Sequence, residues 1–578
     1  MLISSDKTQL TDFGGKTAYP VYLTIGNIPK EIRRKPSHHA QVLLAYLPCT
    51  RLEHVTNKAA RRRMLANLYH SCLGCILEPL QNAGMHGVRM FRGDGVSHRC
   101  HPILSCLPMD YPEQTLTTCV KTGLCPCCPI PREEIGEGGD QYRIQDLNEV
   151  LKALSKADED PSNFNKACEG AGIKPVLHPF WERLPYTHIF CSITPDVLHQ
   201  LYQGVIRHLI FWLKGCCGSA EIDARCRRLL PNHNTRLFTK GISSLSRVTG
   251  KEHAQIASIL LGLIIGIRLP GGRSSLQLIR AVRGLLDFLN LAQYPMHTTN
   301  TLKLLQDALK RFHDNKDIFI DLGLREHFQI PKLHFLDHYL MFIELYGTTD
   351  NFNTEYTERL HIDYAKEAWD ATNGKDELPQ MTLWLERHEK ISRHTKFIKW
   401  RTSHQPVSPD RPNPGVLYRR QLQMAKHPSK KNVSFETLIH DYGATDFPSA
   451  LAQFIAKLKN PLLVGRQLNR EMLRIRSTIR FRFNAVPVFH KIKFTSYDPY
   501  TVGGAKETVV DSIHVQPVRK DKRNRNVPPR FDTAVINDGN GQETGVTGNF
   551  NFPNQYIHSI TRRHRISNWP SSSGIFAA

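Results

Sequence analysis

Two hydrophobic periods run through the first 110 residues. Leu2–Ser5 is a short apolar entry that delivers Asp6. Pro20–Ile28 is rich in β-branched and aromatic residues, and His39–Pro48 repeats the pattern, so both predict strands. From Leu52 to Leu80 the apolar residues recur at three and four, which predicts a helix. His101–Asp110 again reads as a strand, and it ends in an acid.

A polar, glycine-rich break, EEIGEGGDQ, opens a different text. Helical periodicity follows over Asp146–Lys156, Pro195–Lys214, His253–Arg268, Ser275–Ala292 and Leu302–His313. TEYTERLHIDYAKEAW (Thr354–Trp369) predicts one more helix, with Thr354 as its cap. After Trp400 the order declines, with four prolines between Gln405 and Pro414. A few strands are expected in Met472–Val515, and the Gly/Asn/Ser-rich stretch from Asn537 onward predicts disorder.

The chain therefore divides into an α/β part (1–130) with a Cys-x-x-Cys, a mostly α-helical insertion (131–346), and a return to the first part (347–400). A linker with a helical segment (401–475), a small basic β-containing region (476–532) and a tail (533–578) complete it.

Composition narrows the function. The net charge of +23 over 578 residues points to a polyanion, with nucleic acid first. The longest apolar run, Ile256–Ile267, is shorter than the ~20 residues a bilayer span needs. MLISSDKTQL is no signal peptide, and no Walker motif implies a nucleotide cofactor. The 14 scattered cysteines suit metal ligation or burial better than a disulfide framework.

Phosphoryl transfer on DNA is well served by two divalent cations on convergent carboxylates. Here one acid follows the first strand, one ends a later strand, and one lies on a distant helix. That order is expected of an RNase H-like nuclease core with an insertion before its last acid. Spacing alone does not select the acids among the 53 that the chain contains.

Long blocks resemble the Plavaka transposases of fungal transposable elements, grouped with the CACTA and Kyakuja–Dileera–Zisupton elements. They include SSDKTQLTDF, AYPVYLTIGNIPKEIRRKPS, TNKAARRRMLANLYHSC, GDGVSHRCHPI, MDYPEQTLTTCVKTGLCPCCPIPRE, TPDVLHQLYQGVIRHLI, PNHNTRLFTKGISSLSRVTGKEH and TTDNFNTEYTERLHIDYAKEAW. The resemblance covers about residues 1–400, and 476–532 more loosely. It implies a DDE transposase: an α/β, RNase H-like catalytic core interrupted by the α-helical insertion, with a poorly ordered basic C-terminal region. It also implies Asp6, Asp110 and Glu358 as catalytic ligands for two Mg²⁺ or Mn²⁺ ions, with Asp94 and Glu355 as rivals. Glu355 and Glu358 share a helix face.

Cys125 and Cys128 can supply half of a structural zinc site. The resemblance favours His199, in DVLHQ, over His361 as the next ligand. Lys58, Arg61, Arg62 and Arg63 form one basic cluster, and KEIRRK (Lys30–Lys35) another. Lys396, Lys399 and Trp400 lie in SRHTKFIKWR, which suits backbone contacts and base stacking. The run Arg519–Arg530 suits a nuclear localisation signal. The expected partners are double-stranded DNA, at transposon ends and target, and further copies of the chain, with no membrane. The chain begins five residues before Asp6, and the resemblance fades after about Asp532. A truncated, inactive or repurposed DNA-binding copy is therefore the alternative.

Overall fold

The computed structural model describes residues 1–11, 15–92, 95–139, 143–232, 235–402, 421–425, 427–478, 484–497, 508–521, 524–531, 534–537 and 549–552. The chain is mixed α/β and forms two compact units, residues 1–222 with 245–406, and 223–244 with 407–578.

In the first unit, β1 (Leu2–Ser5) pairs antiparallel with β2 (Pro20–Thr24), and β2 with β3 (Val42–Tyr46). After the helix α1 (Lys58–His86) comes a hairpin of β4 (Val88–Phe91) and β5 (Ser97–Cys100). The chain then returns to the free side of β1, where Leu2 and Cys106 form a parallel bridge and Ile3 N–H donates to Cys106 O at 3.0 Å. Next in sequence is β6 (Leu107–Pro108), followed by α2 (Tyr111–Thr117). β7 (Ile193–Thr194) pairs parallel with β6. The spatial order is thus β3-β2-β1-β6-β7, and the last three strands run the same way.

This topology sets the site. Strands that run together end at one edge, and Asp6, Asp110 and Asp196 follow β1, β6 and β7 by one or two residues. The strand expected over His101–Asp110 shrinks to two ladder residues. Pro108 is the last of them, and neither it nor Pro102 carries an N–H to donate to a longer ladder. β7 also lies inside the stretch read as a helical insertion, so residues 131–346 contribute a strand to the sheet.

The sheet needs a covering layer. α1 supplies Ala66, Tyr69, Leu73 and Leu77, spaced by three and four, to the cluster that holds Ile3, Val21 and Leu107. Asn57 caps α1 by accepting from the N–H groups of Ala59 and Ala60. Among the later helices, Gly250–Ile264 opens with a Thr249/Glu252 capping box. Leu276–Ala292 and Thr299–His313 approach closely at Gly284, where a Cβ would lie 2.7 Å from the Phe312 nitrogen. No helix among the described residues is long and apolar enough to cross a membrane.

In the second unit, Gln421–Met424, Lys491–Tyr497, Thr508–Gln516 and Arg530–Phe531 form one antiparallel sheet, and Lys430–Ser434 pairs with Ala485–Val488. Strands from both sides of the expected 475/476 boundary therefore share sheets. Leu438, Phe447 and Leu451 pack with Val433, Val488 and Val515 in its core. Within the run expected as a localisation signal, Arg519–Lys520 pairs antiparallel with Asn526–Val527. Within the tail expected to be disordered, Ala534–Asn537 pairs antiparallel with Asn549–Phe552, and the rest lies outside the described residues.

Candidate active site

Asp6 is partly buried at the end of β1. Its carboxyl is pushed up to about 6, first by burial and then by the negative charges of Asp110 and Glu358, while His199 opposes the shift. Asp110 and Glu358 therefore both act electrostatically on Asp6, although more than 350 residues separate the first acid from the last.

Each acid has a reason to be there. Asp110 caps α2, accepting from Glu113 N–H at 3.1 Å through Oδ1. Glu358 lies on α3 (Glu355–His361). That helix is docked at its start, where buried Thr354 donates its N–H to Asp196 Oδ1 at 3.2 Å. Thr354 precedes the helix as expected, yet its hydroxyl makes no cap bond and instead meets His199 Nδ1 at 3.2 Å.

His199 sits among these acids and not beside the cysteines, which corrects its expected place as a zinc ligand. Its Nδ1 lies 2.7 Å from Asp196 Oδ2 and its Nε2 lies 2.8 Å from Glu358 Oε1. Burial works against a charge on the ring, but the two carboxylates outweigh it and hold the imidazole up to about 10. Asp196 is fully buried and held below the usual carboxylate range, because His199 outweighs its desolvation. A cationic imidazole thus occupies a position between carboxylates. Sequence reasoning misses Asp196 and His199 as members of this site. Asp-x-x-His at a helix start is their available signal, because it makes Asp196 the cap and returns His199 N–H to it at 2.8 Å.

Glu355 is exposed one turn before Glu358, and Asp94, between β4 and β5 in sequence, lies outside the described residues. Behind the site, Glu113 is fully buried and joins two acid-bearing elements. It accepts from Ser5 Oγ, next to Asp6, and from Tyr19 OH at 2.8 Å. Burial first, and the nearby Asp6 and Asp110 charges, push its carboxyl up to about 8 against the help of those two bonds.

The cysteines find other partners. Cys125 Sγ lies 3.4 Å from His338 Nε2, and Cys128 Sγ lies 3.2 Å from His334 Nε2. All four donor atoms lie within 4.8 Å of one another, and all four residues are buried. A tetrahedral zinc ion places sulfur and nitrogen ligands about 3.5 Å apart, so the set fits zinc closely. Asp337 Oδ2, 3.3 Å from His334 Nδ1, supplies the second-layer carboxylate such a histidine favours. Cys127 turns away toward Ile193 O. His361 packs against the Tyr22 ring instead of the thiols. The His-x₃-His of KLHFLDH, one helical turn apart, is the signal that sequence reasoning overlooks.

This cluster is connected to the acids. Lys332, two residues before His334, donates its Nζ to His199 O at 2.9 Å, and its own carbonyl accepts from Gln200 Nε2.

The basic groups divide by exposure. Lys58, Arg62 and Arg63 are exposed at the start of α1, whereas Arg61 is partly buried and donates to Val55 O at 2.8 Å. Lys396, Lys399 and Trp400 are exposed on the helix Glu377–Thr402, which buries only Met381 among its described residues. KEIRRK is different, because two of its cations are used internally. Lys30 pairs with Asp350 at 2.9 Å, and buried Arg33 holds Asn351 Oδ1 at 2.8 Å. Both fasten the turn that leads into α3.

Residues 1–213 match the family model described as Plavaka transposase. That stretch includes Asp6, Asp110, Cys125, Cys128, Asp196 and His199, whereas His334, His338 and Glu358 lie beyond it. A search of curated proteins finds no match.

Proposed function

With residues 1–213 similar to a family of transposases, we propose that this chain is the catalytic core of a DDE-type transposase that cleaves transposon ends and joins them to target DNA. The observation that carries the reading is that Asp6 and Asp110 follow neighbouring parallel strands, while the Thr354–Asp196 bond and the His199–Glu358 contact tie the distant helix of Glu358 to the same sheet edge. The mixed sheet, with acids following parallel strands, supports an RNase H-like core.

Asp6, Asp110 and Glu358 have the hard oxygen donors that Mg²⁺ or Mn²⁺ prefers. Two such ions, when bound, would activate the attacking oxygen and stabilise the leaving one. The protein's part is positional. β1 and the α2 start fix two acids, and the Asp196–Thr354 bond seats the helix that brings the third. His199 orients Glu358 and balances the acids' charge.

Zinc at Cys125, Cys128, His334 and His338 would tie the turn after α2 to the segment carrying Lys332. Lys58, Arg62, Arg63, Lys396, Lys399 and Trp400 are the exposed groups suited to duplex DNA. Action on genomic DNA sets the place of work in the nucleus, and handling two ends calls for a homo-oligomer.

The test is incubation of the protein with duplex DNA carrying element ends, with Mg²⁺ and with chelator. Metal-dependent nicks at the ends are expected. Binding without cleavage would instead favour a repurposed DNA-binding copy.

A further inference from the structure

Among the described residues the β4–β5 hairpin contributes none to the site, yet it is exposed along nearly its whole length. Its register pairs Val88 with Cys100, Arg89 with Arg99, Met90 with His98 and Phe91 with Ser97. Every one of these residues except Cys100 is exposed, on both faces of the ribbon. Phe91 is 67% and Met90 52% exposed. A two-stranded hairpin is marginal without a packed face, so such a surface calls for a partner.

The root of the ribbon is firm. It continues from α1, whose inner side is core, through Gly87 at φ +74°. A Cβ there would lie 2.5 Å from Arg99 Cγ, so the strands close tightly at this point. His101 then ties the return strand to the helix, with Nδ1 2.9 Å from Gly84 O. A rigid stem thus carries bare faces.

Charge identifies the partner. Arg89 and Arg99 stand directly opposite each other on one face, an arrangement that costs stability in a sheet. Neither has an ion pair among the described residues. Arg89 donates Nε to Ser97 Oγ at 2.9 Å and lies over the Phe91 ring at 5.1 Å, which preorganises its guanidinium on that face. An anion bridging the two arginines would turn the repulsion into binding. Three arginines against one aspartate over residues 88–101 keep the ribbon basic. A two-stranded ribbon also has the width that the major groove of duplex DNA admits.

We propose that the β4–β5 hairpin is a DNA-gripping arm that holds duplex phosphates with the Arg89/Arg99 face. This rests on the reading that the chain acts on DNA. The test measures binding of the full chain to a short fluorescein-labelled duplex of mixed sequence, in chelator, across a salt series. Arg89→Ala/Arg99→Ala should weaken binding about tenfold and reduce the salt slope by about two, one for each phosphate that an arginine no longer neutralises. Arg89→Lys/Arg99→Lys should keep the slope, and neither variant should melt below the wild type.

An alanine pair that binds with wild-type affinity and slope overturns the proposal. So does a lysine pair that loses as much as the alanine pair. A changed oligomeric state with unchanged DNA binding also overturns it and assigns the face to protein. A wild type that binds duplex but never cleaves it leaves the arm standing and rejects the nuclease reading, whereas one that binds no duplex rejects both.

Discussion

Glu113→Gln isolates the electrostatic tension behind the acids. The Glu113 carboxyl rises from an ordinary 4.5 to about 8 because it is fully buried beside Asp6 and Asp110. Between these values the folded protein keeps a proton that the unfolded chain has released. The contribution is therefore complete below about pH 4.5 and is lost as the pH rises toward 8. Each pH unit in that window costs the wild type about 1.4 kcal/mol. Glutamine accepts from Ser5 and Tyr19 in the same way but does not titrate. The stability difference between variant and wild type should therefore move in favour of the variant by about 3 kcal/mol from pH 5 to pH 7.5. Other titrating groups are common to both proteins and cancel. Urea unfolding without added Mg²⁺ measures this, read through Trp181, which donates to Thr117 O in the same core at 2.7 Å. A difference that stays constant across this range refutes the reasoning. It would mean that Glu113 is ionised in the folded protein and that Asp6 and Asp110 do not press on it.

The Cys₂His₂ cluster should hold one zinc per chain by elemental analysis, and Cys125→Ser or His338→Ala should lose it and lower the melting temperature. A protein purified without zinc and equally stable in strong chelator would reject the site. His199→Ala leaves Asp196 buried without its counter-charge, and breaking such a pair costs about 3 kcal/mol. Urea unfolding should show that loss, with part of it restored by adding Asp196→Asn. An unchanged midpoint in His199→Ala would contradict the buried pair.

The sequence yields the acids more readily than their surroundings. Asp6 and Asp110 follow stretches whose hydrophobic pattern predicts strands, and Glu358 lies in a stretch that predicts a helix. The partners come from elements too short to show a period. β7 is two residues long, between a four-residue helical turn and the Asp196 cap, so nothing in its hydrophobicity announces a strand. His199 reads as a thiol partner on the resemblance, because no Cys-x-x-Cys follows Cys128 to complete the site. The imidazoles that meet the thiols lie more than 200 residues downstream, and folding alone brings them there. KEIRRK shows the opposite failure. Charge density predicts a solvated or phosphate-facing cluster, whereas Lys30 and Arg33 are committed to residues 348–351. Local composition cannot reveal partners so far along the chain.

Strand cleavage by Asp6→Asn, Asp110→Asn and Glu358→Gln tests the central claim most directly, using DNA that carries an element end with saturating Mg²⁺. Each variant keeps the volume of the wild-type side chain and removes one metal-binding charge. Cleavage should fall by about a thousandfold or more in each, equivalent to about 4 kcal/mol of lost barrier lowering, with DNA binding retained. Cleavage within a few-fold of wild type in any one of the three would contradict that residue's place in the metal site.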